Sequence, residues 1–312
     1  MQHYRSLEEI TLQNSWLTIG VFDGVHRGHQ QIIKRLTAGA DAQGMPAVVL
    51  TFDPHPAMTF GRGEIKLLTL PDERAELLGE MGVDVVITHP FDINVANITA
   101  FDFVKQTKDR LGLNHLVLGY DSALGKNREG TTTRLTEIGL ELGYTVETVS
   151  ALSDESGVIS STEIRKLIST GNVAKAARLL GHPYRLQGIV IHGDHRGRGL
   201  GFPTANLEHA DQKLIPANGI YACWAQLGEE RFMAAVSVGV RPTVKENQQM
   251  PNVEAYLLDF DRDIYGRTIE LEFVARLRDE MKFPSLDALV EQIRDDVEKT
   301  KVMLKESFDA RT

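Results

Sequence analysis

His26 and His29 stand three residues apart in Gly20-Val-Phe-Asp-Gly-Val-His-Arg-Gly-His29, so on a helix they share one face. Gly20, Gly24 and Gly28 let the backbone come close to a ligand. The string follows an apolar run and opens an amphipathic one, which predicts a strand end feeding a helix N-terminus. Such a terminus presents N–H groups and positive potential, a setting that suits phosphate. Two imidazoles beside it can donate hydrogen bonds to a phosphoryl group in transfer and stabilise the charge that builds on it. His-x-x-His spacing also fits a metal, but no set of nearby Cys or His partners completes a zinc site.

A second group lies in Gly193-Asp-His-Arg-Gly-Arg-Gly-Leu-Gly-Phe-Pro-Thr-Ala-Asn206. Gly193, Gly201 and the glycines between them, with Arg196 and Arg198, suit a loop that wraps a polyphosphate. It is not a P-loop, because no Gly-Lys-Ser/Thr follows. Thr204 and Asn206 alternate along an extended chain and face the same way. A hydroxyl and an amide carbonyl are hard oxygen donors, suited to Mg²⁺ between phosphates. Glu254 is an acid in the apolar run Val253-Glu-Ala-Tyr-Leu-Leu-Asp-Phe260. By alternation it faces away from Val253, Ala255 and Leu257, toward either a ligand or solvent.

Three further segments carry chemistry. Thr51-Phe-Asp-Pro-His-Pro56 closes an apolar run, and its two prolines stiffen a loop at a strand end. In Ile159-Ser-Ser-Thr-Glu-Ile-Arg165, Ser160 and Glu163 form a capping box. Arg165 near the first turn of a helix is unfavourable by dipole, so an anion nearby would explain it. Leu118-Gly-Tyr-Asp-Ser-Ala-Leu-Gly125 follows another strand-like run and contains Asp121.

The elements that must position these residues have two rhythms. Up to about residue 150, short apolar runs at 16–22, 47–52, 83–88, 115–119 and 144–149 alternate with helical patterns. The helical patterns cover 29–43, 71–81, 99–111 and 132–142, each stopped by a glycine. Five strands alternating with helices predict a doubly wound parallel sheet, whose ligands bind at the carboxyl ends of the strands. Helices at 162–169 and 173–180 follow, and His182-Pro183 breaks the pattern. Strands predicted at 186–191, 220–224, 232–238, 253–260 and 269–278, separated by turns, read as a small antiparallel barrel or sandwich. A helix over 285–305 completes the plan, with domains at 1–182 and 183–312.

Composition narrows the class. Of 312 residues, 42% are apolar and 25% charged, which predicts folded domains rather than disorder. A net charge of −9, with no basic stripe, argues against nucleic acid as the partner. The lone Cys223 excludes an internal disulfide and fits a reducing compartment. Without a signal peptide or an apolar run of membrane-spanning length, the expectation is a cytoplasmic protein that uses neither membrane nor obligate protein partner.

His-x-Gly-His after a first strand resembles the signature of nucleotidyltransferases that transfer AMP from ATP. The longer string, with Gly201-Phe-Pro-Thr-Ala-Asn206 and Ile159-Ser-Ser-Thr-Glu-Ile-Arg165, resembles the bacterial bifunctional riboflavin kinase/FMN adenylyltransferases, also called FAD synthetases. The resemblance covers nearly the whole chain. It implies that ATP phosphorylates riboflavin to FMN with release of ADP. A second ATP then adenylylates FMN to FAD with release of pyrophosphate. It implies that Gly20, Phe22, Asp23, Gly24, Gly28, Asp121, Ser161, Thr162 and Arg165 bind ATP or flavin around His26 and His29. In the kinase it implies Gly193, Arg198, Gly201, Thr204 and Asn206 at ATP, Thr204 and Asn206 at Mg²⁺, and Glu254 as base. Ser122 and Leu124 depart from the family's two aromatic residues. That departure motivates one alternative, a single-activity transferase with one decayed domain; the other is a non-catalytic flavin-binding regulator.

Overall fold

Strand β2 (Ser15–Ile19) shows how the first half of the chain is built: it is buried on both faces. Trp16 points to one apolar cluster, and Leu17 and Ile19 to another. The next strand repeats the division, Val48 and Leu50 on one side, Ala47 and Val49 on the other. A strand covered twice reads as a continuous apolar run, which is why these segments were legible as parallel-sheet strands. The computed structural model describes all residues except 60–64, 156, 194–200, 242–249 and 310–312.

The sheet order is β1-β4-β3-β2-β5-β6, parallel throughout, from β1 (Gln2–Tyr4), β2, β3 (Ala47–Asp53), β4 (Val85–Pro90), β5 (Leu113–Gly119) and β6 (Thr145–Val149). Helices α1 (Arg27–Gln43) and α3 (Pro71–Glu80) supply apolar residues to one cluster. Helices α5 (Ala100–Leu111) and α6 (Thr132–Leu142) supply the other. Two single turns, α2 (Pro56–Thr59) and α4 (Ile93–Ala96), sit in the connections. The strand order reverses between β2 and β5, so the loop leaving β2 opens at the switch point where such sheets bind ligands. Of these strands, β1 escaped the sequence reading. It is three residues long, and an edge strand that short has no room for a pattern.

By Cα proximity the chain divides into two units, Met1–Ser161 and Thr162–Thr312. The second contains most of α7 (Ser161–Ser169), then α8 (Val173–Leu180), which packs on the barrel strands β9 (Tyr184–Ile191) and β14 (Thr268–Arg278). This second unit begins at Thr162. A two-stranded ribbon, β7 (Ser153–Asp154) and β8 (Gly157–Val158), precedes it. Strands β9, β10 (Ala205–Glu208), β11 (Gly219–Leu227), β12 (Glu230–Arg241), β13 (Met250–Leu257) and β14 close into an antiparallel barrel of order β10-β13-β12-β11-β14-β9. Closure settles the choice between barrel and sandwich. Val236, Val238, Val253, Ala255, Ile269, Leu271 and Phe273 are buried, as is Cys223, whose thiol pKa is pushed well up by burial. Helix α9 (Leu286–Asp309) packs on β11, β12 and β14. The strand absent from the sequence reading is β10, four residues behind a glycine-rich loop.

One contact in the first unit sets a steric limit. The indole of Trp16 lies flat on Gly39 of α1, where an added Cβ would come within 2.1 Å of the ring. The same indole stacks on His115 at 4.3 Å and lies beneath Arg35. Alanine in a helix interior normally stabilises by about 1 kcal/mol over glycine. Here Gly39→Ala is expected to destabilise by roughly 1–3 kcal/mol, because overpacking outweighs propensity. Urea unfolding followed by far-UV circular dichroism checks it, and a raised midpoint would show that Trp16 yields freely.

Candidate functional site

The loop from Gly20 to His26 leaves β2 and turns sharply, with φ of 51° at Phe22, 81° at Gly24 and 40° at Val25. Left-handed conformations at two non-glycine residues cost on the order of 1–2 kcal/mol each, so the surroundings must hold them. They do so at several points. The Asp23 carboxylate, 1% exposed, accepts from the Leu68 and Thr69 N–H groups at 3.1 and 2.9 Å and from the Thr69 hydroxyl at 3.1 Å. Thr69 Oγ1 in turn accepts from the Gly24 N–H at 2.9 Å. Ser161 Oγ donates to the Asp23 carbonyl at 2.9 Å. Val21 O accepts from both Thr51 Oγ1 and Arg74 Nη1, each at 3.0 Å.

His26 is the N-cap of α1, and its Nδ1 accepts from the His29 N–H at 3.4 Å. An accepting Nδ1 leaves the proton of a neutral ring on Nε2. The rings of His26 and His29 stack at 3.6 Å with 18° between planes, and Phe22 meets His29 edge-on. A Cβ on Gly28 would press the His26 ring at 3.2 Å, so glycine there gives the ring its place. Burial lowers the His26 pKa to about 4, against the opposing pull of Asp23. Burial, then His26 and the Arg74 charge, lower His29 well below the ordinary value. Both rings are neutral near pH 7, so each can offer a ring N–H as a donor and neither carries a charge.

The other expected residues of this site fall in two places. Asp121 is exposed in the loop after β5, where its carbonyl accepts from Arg128 at 3.2 Å. Ser122 turns back to Gly119 O through its N–H, and Leu124 bridges to Gly130. Thr162 and Arg165 are the second and fifth residues of α7, which begins just after Ser160 as a capping box requires. Sequence reading missed Arg74. It is 2% exposed and donates to Val21 O and to Phe52 O, the latter at 3.2 Å. Its place as fourth residue of α3 repeats the anomaly of a cation near a helix start that singled out Arg165.

The second group gathers on the outer face of the barrel. Val253, Ala255 and Leu257 fill the interior, and Glu254 faces out between them. The ladder puts Asn206 of β10 and Ser237 of β12 directly opposite Glu254. Thr204 Oγ1 donates to Glu254 Oε2 at 3.3 Å, and Asn252 Nδ2 donates to Oε1 at 2.7 Å. Asn206 is 5% exposed and lies under Gly193, where a Cβ would come within 2.1 Å of the amide nitrogen. Gly193 thus lets the loop cross Asn206 closely. Gly201 is left-handed, with φ of 83°, and Phe202 meets Tyr256 edge-on. Arg198 lies outside the described residues. Asn252 was not singled out in the sequence, although its two-residue spacing from Glu254 puts it on the same face.

Glu254, Thr204 and Asn206 form an oxygen-rich row that can orient a hydroxyl and hold a hard cation between phosphates. The described residues contain no cluster of three or more His, Cys, Asp or Glu fit for a metal. No helix among them is long and apolar enough to cross a membrane.

Residues 8–163 match the FAD synthetase family, and residues 180–304 match the riboflavin kinase family. A bifunctional riboflavin kinase/FMN adenylyltransferase from Listeria monocytogenes is 36% identical, covering 99% of this chain and 98% of its own. One of the same name from Haemophilus influenzae is 38% identical, covering 96% of this chain and 98% of its own. A crystal structure titled macrolide-efflux protein, from Streptococcus pneumoniae, superposes with a TM-score of 0.88 at 32% identity, covering 96% of this chain and 98% of that one. With both halves matched and full-length relatives aligned from end to end, the chain belongs to the bifunctional riboflavin kinase/FMN adenylyltransferase family.

Proposed function

We propose that this chain makes FAD from riboflavin in two ATP-dependent steps on two separate sites. It is a transferase, a riboflavin kinase and an FMN adenylyltransferase in one polypeptide. The observation that carries the reading is that each family match contains its own candidate constellation, the histidine pair in one and the Glu254 row in the other. We assign the adenylyltransferase to residues 1–182, the kinase to 183–312, and the protein to the cytoplasm.

In the kinase, Glu254 accepts the proton of the terminal ribityl hydroxyl as that oxygen attacks the γ-phosphorus of ATP. FMN forms and ADP leaves. Thr204 and Asn252 fix the carboxylate, and Gly193, Arg198 and Gly201 bind ATP. Thr204 and Asn206 would hold Mg²⁺, which when bound neutralises phosphate charge. In the adenylyltransferase, an FMN phosphate oxygen attacks the α-phosphorus of ATP, and pyrophosphate leaves. No covalent enzyme intermediate is needed. The Nε2–H of His26 and the ring of His29 stabilise the charge on the transferring group. Gly20, Phe22, Asp23, Gly24 and Gly28 shape the loop that carries them. Asp121, Ser161, Thr162 and Arg165 complete the binding of nucleotide and flavin.

Incubation with riboflavin, ATP and Mg²⁺, followed by chromatography of the flavins, tests the whole reading. FAD is expected; FMN alone would mean a kinase only, and unchanged riboflavin a binding protein. Replacing His26 and His29 together with alanine is expected to abolish FMN-to-FAD conversion while leaving riboflavin phosphorylation intact. One preorganised donor is typically worth ~10²–10³ in rate, so normal FAD output from that variant would refute the assignment. Glu254→Gln preserves shape and loses basicity. It should lower the kinase kcat by ~10²–10⁴ with little change in ATP affinity, while supplied FMN is still adenylylated at the parent rate. A variant that phosphorylates riboflavin normally would make Glu254 a solvated strand residue. Ser122→Phe restores a ring where the family carries one, and it is expected to lower the KM for FMN in adenylylation. An unchanged KM would place the flavin elsewhere.

A further inference from the structure

The loop that leads to His26 and His29 is tied to the segment around α3 by two side chains, its own Asp23 and Arg74 of the helix. Asp23 reaches the backbone of Leu68 and Thr69, just before that helix, and Arg74 reaches back from its first turn to Val21 O and Phe52 O. These two carbonyls belong to the ends of the neighbouring segments Gly20–His29 and Thr51–Pro56. A single guanidinium therefore joins the loop leaving β2 to the end of strand β3. Val21 O is the last acceptor before the left-handed stretch at Phe22, Gly24 and Val25, and it takes a second donor from Thr51. The stretch ends at the His26 cap. Arg74 binds no group the mechanism transfers, and it is too buried to serve as a surface charge.

We infer that Arg74 is a positioning residue for adenylyl transfer: by joining Val21 O to Phe52 O, it holds the left-handed loop in the one conformation that aims His26 and His29. The inference rests on the assignment of those histidines to adenylylation. It predicts that loss of the bridge frees the turn at Phe22 to relax, and that the imidazoles then lose their aim before substrate binding fails. Misplacement of a catalytic group by about 1 Å can cost up to ~10²-fold in rate.

The test uses the full chain and measures both activities in each variant. Arg74→Met keeps the bulk of the side chain and removes its donors. It is expected to lower the adenylylation kcat by about tenfold to a hundredfold, with the KM values for ATP and FMN changed by less than about threefold. Riboflavin phosphorylation should stay at the parent rate. Thr51→Val removes the other donor to Val21 O without touching a buried charge, and it should lower the same kcat by roughly three- to tenfold. Arg74→Lys, with one donor centre, should fall between the parent and Arg74→Met. Nitrogen-15 spectra of the histidines supply a readout apart from turnover. The parent His26 should show the Nε2-protonated tautomer, and Arg74→Met a mixture of tautomers. If Arg74→Met does not fold, Thr51→Val decides alone. Parent kcat in the folded variants, with only a lower melting temperature, would overturn the inference and leave Arg74 a stability residue. Loss of adenylylation in the double histidine variant alone would do the same while sparing the histidine assignment. Retention of activity in the double histidine variant would overturn both.

Discussion

Alternate residues of a β-strand point to opposite faces, and this geometry decides where chemistry can happen in each unit. In the parallel sheet both faces are spent on apolar clusters, so no catalytic side chain can stand on a strand. What remains is the rim where the strands end, and His26 and Asp121 lie there, at the ends of the loops that leave β2 and β5. In the closed barrel the interior face is filled by Val253, Ala255, Leu257 and their neighbours. What remains is the outer face, and Glu254 stands on it in line with Asn206 and Ser237. The two sites differ in kind because two ways of burying strands leave different surfaces free.

The polar residues at the rim bear the cost of that arrangement. A loop that must fold back onto the sheet end adopts left-handed backbone at Phe22 and Val25, and buried charge compensates for it. Asp23 and Arg74 are each nearly inaccessible, and each is matched to backbone partners: N–H groups for the anion, carbonyls for the cation. Burial also keeps the histidine pair neutral, which suits stacked rings that would repel each other if both were charged. Structural needs and the proposed chemistry therefore meet in the same few residues.

Much of this was legible in the sequence, for identifiable reasons. Continuous apolar runs marked the buried parallel strands, and glycines marked the helix ends. Alternation around Glu254 gave its face but not whether ligand or solvent lay on that face. The misses have two causes. Strands β1 and β10 have three and four residues, too few for a period to be seen. Arg74 acts through carbonyls distant in the chain and Asn252 through a carboxylate two residues along its own strand, and composition carries no trace of such contacts.

The two tryptophans of the chain are divided between the units, one in each, and both lie against cations. Trp16 is stacked on His115 with Arg35 above it, and Trp224 lies under Arg231 at 4.4 Å. Indole emission responds to such neighbours and to solvent. Replacing either tryptophan with phenylalanine leaves a single fluorophore that reports on one unit alone. The molecule therefore carries its own pair of optical labels, with which the order in which its halves melt, or the way one half senses ligand bound to the other, can be followed without attaching a dye.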